Sequence, residues 1–232
     1  DLALFEVGPQ YADATPKGQS AMATGIRAGM TAPRDWSRQQ RPVDAFDAKA
    51  DLLALLEALG APAGNAQVST DAPDWYHPGR SGCLRLGPNV LGCFGELHPR
   101  LLQAYDLKGP VAGFELFLDR VPMPKAKKGA TRPFLKLSPF QPVERDFAFV
   151  VAADVAAEQI VRAAKGADKV LVADVGVFDI YAGASLGEGK KSVAISVTLQ
   201  PTERTLTEED IEAVSQKIVA QVEKATGGSL RR

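Results

Sequence analysis

An aromatic ring, a carboxylate and a hydroxyl occur close together in the stretch from Phe178 to Leu206, and their spacing suits them to one ligand. Asp179 and Tyr181 leave a predicted strand on the same side, because side chains two residues apart share a face. Ser192 follows a glycine-rich turn and begins the next strand. Tyr181 offers a ring for stacking, Asp179 accepts hydrogen bonds, and Ser192 donates or accepts them. We therefore expect the three side chains to converge at one rim of a sheet.

Basic residues near this rim suit an anionic ligand such as the phosphate backbone of a nucleic acid. The candidates are Lys190, Lys191, Arg145 and Arg204. The stretch itself carries equal numbers of basic and acidic residues, so we expect only weak attraction. From the residues alone an alternative stays open, in which Asp179 caps the turn and Tyr181 packs at the sheet edge.

The elements that position this rim follow from the hydrophobic pattern of residues 138–232. From Lys190 to Gln200, apolar residues alternate with small polar ones, which predicts a strand with one apolar face. The other predicted elements are a strand around Phe147, a helix capped by Asp154, a strand from Val170 to Tyr181, a helix opened by a capping box from Thr207 to Asp210, and a strand from Ser229 to Arg231. The order β-α-β-β-α-β predicts a ferredoxin-like domain, with both helices on one face of the sheet and the other face open.

The first half of the chain predicts an antiparallel sheet that carries few helices, so the whole chain is predicted to be α+β. Asp44 can cap a helix that ends at Gly60. Its apolar stripe consists of Leu52, Leu55, Leu56 and Leu59. The β-like runs are Leu2 to Val7, Ser20 to Ala28, Gly82 to Leu86, Val90 to Gly95 and Val111 to Leu118, with a turn at Gly87-Pro88-Asn89.

Motifs in both halves resemble the beta subunits of phenylalanyl-tRNA synthetases. In the second half, FD-x-Y-x-G, G-K-K-S and R-T-L resemble the ferredoxin-fold anticodon-binding domain of that family. In the first half, FEVG, VDAFDAKADL, HPG, G-x-x-G-E-L-H-P and GFEL resemble the later part of its inactive catalytic-like module, which is related to class II synthetase cores. The resemblance implies three parts: a partial, non-catalytic class II synthetase-like module at residues 1–120, a basic, proline-containing linker at residues 121–137, and an anticodon-binding domain at residues 138–232.

The same resemblance implies the function and the partners. It places anticodon contacts on the motifs that contain Asp179, Tyr181 and Ser192, which favours RNA binding over the purely structural interpretation. The implied partners are tRNA(Phe) and a catalytic alpha subunit in an alpha2beta2 heterotetramer, and ATP and magnesium serve the whole enzyme. We expect no cofactor and no catalytic residue in this chain, because bulky residues from Phe114 to Leu118 stand where active cores need glycine. The alternatives are a regulatory module that binds an amino acid and a pure assembly module.

Composition excludes several other classes of protein. The 232 residues are 45% hydrophobic and 24% charged with a net charge of −1, which is typical of a globular protein without a broad basic field. Non-specific DNA binding is therefore disfavoured. The chain has no signal-like N-terminus and no apolar run of about 18 residues, so we expect a cytoplasmic protein without membrane contact. Its start at Asp1, without Met, suggests a piece of a longer chain.

Four potential zinc ligands occur in a short span: His77, Cys83, Cys93 and His98. Their spacing lacks the close cysteine pair that is typical of zinc sites. Cys83 and Cys93 occupy matching positions on either side of the predicted hairpin turn, which explains their proximity without a metal. We therefore expect no metal, and we expect both histidines to be hydrogen-bonded at the ends of elements.

Overall fold

The computed structural model describes residues 1–37, 39–122, 134–135 and 137–231. The chain divides into two compact units, Asp1–Ala130 and Thr131–Arg232. Each unit combines an antiparallel sheet with helices, so the predicted α+β class is confirmed. Most of the predicted linker at residues 121–137 lies outside the described residues, and its boundaries stay a prediction.

The first unit contains a six-stranded antiparallel sheet with the strand order β1-β2-β6-β5-β4-β3. Its elements are β1 Leu2–Tyr11, β2 Gln19–Ala28, α1 Ala45–Ala58, β3 Gln67–Ser69, β4 Tyr76–Leu86, β5 Asn89–Leu97, α2 Pro99–Ala104 and β6 Val111–Phe117. The five predicted strands are present, and most are longer than their apolar runs. Strand β3 and helix α2 were not predicted, because three and six residues are too short to show a hydrophobic period.

Helix α1 begins and ends where the sequence predicts. The Asp44 carboxylate accepts hydrogen bonds from two backbone N–H groups of the first turn, and Asp47 completes a capping box. Gly60 follows the helix with a φ of 72°, a conformation that favours glycine. Leu52 and Leu56 are fully buried on the sheet, whereas Leu59 is 43% exposed. The buried stripe is thus narrower than the predicted one.

The ring of Phe114 packs against a glycine on the neighbouring strand. In the pairing of β2 with β6, Phe114 lies opposite Gly25. A Cβ atom placed on Gly25 would lie 2.5 Å from Cε1 of the Phe114 ring. Strand β2 can therefore pass beneath the ring only because residue 25 has no side chain.

The four potential zinc ligands have other partners. Cys83 and Cys93 lie directly opposite each other on β4 and β5, as the hairpin predicts, and a disulfide joins them. Nδ1 of His77 accepts a hydrogen bond from the N–H of Gly79, and Nδ1 of His98 accepts one from Arg100, each at 3.1 Å. Both histidines are thus hydrogen-bonded at element ends, as predicted, and His98 caps α2. The described ranges hold no cluster of three or more side chains able to bind a metal ion.

The second unit has the predicted ferredoxin-like arrangement. Its elements are β7 Val143–Ala152, α3 Ala157–Ala167, β8 Val172–Tyr181, β9 Lys190–Leu199, α4 Glu208–Thr226 and β10 Ser229–Leu230. The strand order is β10-β7-β9-β8, and all neighbouring strands are antiparallel. One apolar core joins the sheet to both helices and includes Phe149, Ile195 and Ile218, which are fully buried.

The two helices of this unit begin differently. Thr207 and Asp210 form the predicted capping box of α4, and Gly227 ends that helix in the left-handed conformation. The prediction that Asp154 caps α3 is wrong. Asp154 lies in the turn after β7, and the capping position is held by Ala156, whose side chain cannot accept a hydrogen bond.

The helices α1 to α4 are short or carry a charged face. The longest, α4, has 19 residues, with acidic residues throughout its first turn. Over the part of the chain that the structure describes, no helix is long and apolar enough to cross a membrane.

Candidate nucleic-acid interface

Asp179 and Tyr181 reach the open face of the second sheet because β8 contains a bulge. Before the bulge, Val177 pairs with Ile195, whose side chain points to the helices. After it, Asp179 pairs with Ala194 and Tyr181 pairs with Ser192. One extra residue reverses the direction of every side chain that follows. The bulge therefore places Tyr181 beside Ser192 on the face opposite the helices.

Tyr181 is an aromatic side chain that is partly accessible to a ligand. It is 43% exposed, and the guanidinium carbon of Arg231 lies 5.8 Å from the centroid of its ring. Its hydroxyl lies 3.4 Å from Oγ of Ser185. A Cβ atom on Gly183 would overlap the Tyr181 hydroxyl, so this glycine leaves room for the ring. The ring position thus depends on the turn between β8 and β9.

Ser192 is buried, with 3% exposure, although the sequence suggested an accessible hydroxyl. It lies on the central strand β9, with Val150 of β7 opposite it on one side and Tyr181 of β8 on the other. Its predicted place beside Tyr181 is confirmed by this register. A ligand at the rim would meet Tyr181 before it reached the Ser192 hydroxyl.

Two predicted basic residues lie next to this pair. Lys190 begins β9 and is exposed, on the same face as Ser192. Lys191 follows, and its Nζ donates a hydrogen bond of 2.8 Å to the backbone carbonyl of Ala153. The structure thus brings Asp179, Tyr181, Ser192, Lys190 and Lys191 to one end of the sheet; we call this group the rim.

Arg145 does not belong to the rim. It pairs with Val197, whereas Ser192 pairs with Val150, five residues further along β7. At about 3.4 Å per residue, this separation is about 17 Å. The side chain of Arg145 also points to the helix side of the sheet, and its Nη1 donates to the carbonyl of Glu144 at 3.0 Å. The expectation that Arg145 lies near Tyr181 is therefore wrong.

Arg204 is also separated from the rim. It follows the far end of β9, where its guanidinium donates two hydrogen bonds to Asp210, at 2.6 and 2.8 Å. These bonds raise the pKa of Arg204 and, together with the capping contacts of Thr207, hold the pKa of Asp210 below its usual range. Arg204 thus stabilises the start of α4, and the expectation that it lies near Tyr181 is wrong.

A partly buried polar cluster in the first unit was not predicted. The Glu115 carboxylate on β6 accepts hydrogen bonds from Nε1 of Trp75 at 3.2 Å and from the hydroxyl of Tyr76 at 3.3 Å. Burial raises the pKa of Glu115, and the two donors offset part of this shift. Burial, together with the neighbouring Glu115, also raises the pKa of Tyr76. Both hydrogen bonds link segments far apart in sequence, so no local pattern signals them.

Arg231 is a basic residue near the rim that the sequence did not indicate. It follows β10, on the opposite side of the sheet from β8, yet its side chain lies over Tyr181. The ferredoxin-like strand order was the one available signal. That order places β10 beside β7, but it does not give the direction of a long side chain at the end of a strand.

Two family models match the chain, one for each unit. Residues 1–118 match the model described as "Phenylalanyl tRNA synthetase beta chain CLM domain". Residues 138–231 match "Ferredoxin-fold anticodon binding domain". The rim thus lies in the part of the chain that resembles anticodon-binding domains.

Similar proteins match the chain along its full length. Those of Rhodospirillum rubrum and Paramagnetospirillum magneticum are each 58% identical over 231 residues, and that of Bartonella quintana is 55% identical over 237 residues. All three are named phenylalanine–tRNA ligase beta subunit. The matches cover 100% of this chain but 29% to 30% of the relatives. The chain thus spans less than a third of the length of these relatives.

Proposed function

Because the chain belongs to the family of phenylalanine–tRNA ligase beta subunits, we propose that its second unit binds the anticodon of tRNA(Phe). The first unit supports a catalytic alpha subunit. The whole enzyme, an alpha2beta2 heterotetramer in the cytoplasm, joins phenylalanine to tRNA with ATP and magnesium. This chain contributes binding and support, and its own residues carry out no chemical step.

The observation that carries the proposal is the open-face position of Tyr181 beside Asp179 and Ser192. An exposed ring on a sheet face can stack on an unpaired base, which is worth about 1–3 kcal/mol per base. Asp179, exposed on the same face, can accept hydrogen bonds from a guanine edge. A base that stacks on the ring would also lie close to the Ser192 hydroxyl.

The charges at the rim favour a weak contact with RNA that has a defined position. Lys190, Lys191 and Arg231 are the cations that lie there, and Asp179 opposes them. Since the net charge of the chain is −1, long-range attraction contributes little. Most of the affinity for tRNA would therefore come from the rest of the enzyme, while the rim recognises the anticodon.

The first unit is proposed to support the enzyme without binding ATP. Active class II cores, as the resemblance implies, need a glycine-rich strand on which adenine lies flat. Here Phe114 of β6 is 6% exposed and fills the space above Gly25. This ring would occupy the place of the adenine. Pyrophosphate exchange into ATP, dependent on phenylalanine and carried out by the purified chain, would contradict this part of the proposal.

The anticodon contact is tested in the reconstituted alpha–beta enzyme. Tyr181→Ala and Asp179→Ala are expected to raise the KM for tRNA and to leave tRNA-independent formation of phenylalanyl-adenylate unchanged. Asp174→Ala is the matched control, because Asp174 is an exposed aspartate near the other end of β8. If both rim variants charge tRNA like the parent at all tRNA concentrations, the rim is not the anticodon site.

A further inference from the structure

A groove of about 1080 Å³ runs between helix α4 and one edge of strand β7. It exists because β10 is short. Strand β9 covers the other edge of β7 from Val143 to Ala152, but β10 pairs only with Phe149 and Val150. One more hydrogen bond, from the N–H of Arg231 to the carbonyl of Ala148 at 2.7 Å, extends this pairing to the last described residue. Within the described ranges, no strand pairs with the edge of β7 from Val143 to Asp146.

The backbone at this edge can accept another strand. Residues two apart in a strand direct their N–H and C=O groups to the same side. Since the carbonyl of Ala148 faces β10, both backbone groups of Asp146 face the groove. The carbonyl of Glu144 faces it too and receives a hydrogen bond from the Arg145 side chain. Asp146 thus offers a donor and an acceptor in line with the β10 ladder.

The groove has an apolar floor beside this edge. Phe147 and Ile211 form its buried part, with 9% and 7% exposure, and Val219 and Leu230 are half-buried. An extended chain that paired with β7 would direct alternate side chains toward this floor. Hydrogen bonds from the main chain would then supply affinity, and the floor would select side chains.

The charges around the groove indicate what would bind there. The groove is lined by four acidic side chains of α4, Glu208, Glu209, Glu212 and Glu223, and by the basic side chain of Arg145. Asp146 and Arg231 also line it, but their side chains lie on the open face of the sheet. Glu208 and Glu209 also stabilise the N-terminus of α4, and Glu223 accepts a hydrogen bond from the N–H of Leu230. The acidic excess would repel a nucleic acid and attract basic side chains.

We propose that the groove binds an extended, lysine- or arginine-rich peptide segment of a partner protein, which adds as a strand to β7 beyond the end of β10. The apolar floor holds alternate side chains, and the carboxylates of α4 pair with the basic ones. This site is distinct from the rim, and the proposal does not depend on the anticodon contact.

The test uses the 232-residue chain and a fluorescent peptide of alternating Lys and Val, about eight residues long, close to a typical strand. Fluorescence anisotropy measures its affinity. A peptide of alternating Glu and Val is expected to bind at least about tenfold more weakly. Two further Lys–Val peptides carry methyl groups on alternate backbone nitrogens, one on the odd-numbered and one on the even-numbered residues. Their affinities should differ, because only one of these two sets of N–H groups faces β7. Equal effects of the two sets, or equal binding of the acidic peptide, would overturn the proposal.

Charge reversal on α4 provides the matched variant. The double variant Glu209→Lys with Glu212→Lys is expected to lower the affinity for the Lys–Val peptide about tenfold. Glu57→Lys with Glu188→Lys changes the net charge equally, at exposed positions that do not line the groove, and is expected to leave affinity unchanged. Should the first variant fail to fold, the methylated peptides decide the question on the parent chain.

Two further outcomes would assign the groove to another occupant and overturn the proposal. One is displacement of the peptide by a polyuridine oligonucleotide, which would indicate RNA. The other is a dimer of the chain, detected by sedimentation velocity, that the peptide or the α4 variant dissociates. That result would indicate a second copy of the chain at this edge.

Discussion

The guanidinium of Arg231 lies over the ring of Tyr181, although the two residues belong to opposite edges of the second sheet. Tyr181 ends β8, and Arg231 follows β10. The contact therefore reaches across β7 and β9 and brings a positive charge to the only aromatic side chain that the sequence analysis assigned to stacking. In the proposed anticodon contact, this guanidinium pairs with a phosphate of the bound RNA.

Arg231→Ala is expected to raise the KM for tRNA of the reconstituted enzyme by up to about fivefold, since an exposed ion pair with a phosphate contributes about 0.2–1 kcal/mol. Steady-state charging measures this effect. Arg231→Lys keeps the charge and is expected to recover most of the loss. Because the pairing with β7 uses the backbone N–H of Arg231, neither variant should alter the sheet. A KM that Arg231→Ala leaves unchanged would exclude a role in RNA binding.

Gly183→Ala is expected to displace the Tyr181 ring, because the new methyl group would overlap its hydroxyl. The KM for tRNA should rise to a value like that expected for Tyr181→Ala, whereas the far-UV circular dichroism should stay the same. Gly176→Ala is the matched control on β8, since its added Cβ would meet open space. Equal KM values for the two variants would show that the position of the ring does not matter for tRNA.

Arg204→Ala is expected to lower thermal stability without changing the KM for tRNA. Asp210 has a lowered pKa when folded, so the bond from Arg204 stabilises the fold at neutral pH. This stabilisation is present above the ordinary aspartate pKa of about 3.9 and is lost as the pH falls further. The difference in melting temperature between parent and variant should therefore shrink in acid.

The control for Arg204→Ala is Arg162→Ala, at an exposed position on α3. It should leave the melting temperature nearly unchanged. Thr207→Ala, which removes the cap itself, should lower the free energy of unfolding by about 0.5–2 kcal/mol. An increase in KM caused by Arg204→Ala, at unchanged stability, would return Arg204 to the list of RNA contacts.

The titration of Glu115 is expected to be visible in the fluorescence of Trp75, because the Glu115 carboxylate accepts a hydrogen bond from the indole N–H. In a Trp36→Phe background, the midpoint should lie above the ordinary glutamate pKa of about 4.3, because burial raises the pKa of Glu115. A raised carboxyl pKa means that the folded state holds its proton more tightly. The contribution of Glu115 to stability therefore falls as the pH rises through this range.

Glu115→Gln provides the control for that titration. Glu115→Gln should abolish the fluorescence transition. The free energy of unfolding of this variant, measured relative to that of the parent, should be higher at neutral pH than in acid. A transition that persists in Glu115→Gln would assign the titration to another group.

Local patterns predicted most of the fold and part of the rim. Capping boxes at Asp44 and Thr207 depend on side chains three residues apart, so the sequence contains all that they need. Asp154 has the right chemistry for a cap, but the chain makes two more residues of turn before α3 begins. Chemical type alone does not fix the position of a cap.

The errors at the rim have a common cause. Arg145 and Arg204 belong to the same domain as Tyr181, but strands β7 and β9 carry them toward the far end of the sheet, and the sequence does not show this register. The bulge before Asp179 is also not visible in the pattern, although it decides which face Tyr181 occupies. A strict alternation from Val175 would have placed that ring on the helix side.

Strand β8 forms one edge of its sheet, and the irregularities that orient its side chains have a second consequence. Val177, Phe178 and Ile180 are exposed along this edge, a composition that invites another chain to pair with it and begin aggregation. Two register shifts interrupt the strand, and each is followed by an acidic residue, Asp174 or Asp179. A broken edge with repelling charges is a poor template for a growing fibril. The bulge that turns Tyr181 to the open face is thus also a feature that disfavours pairing between copies of this edge.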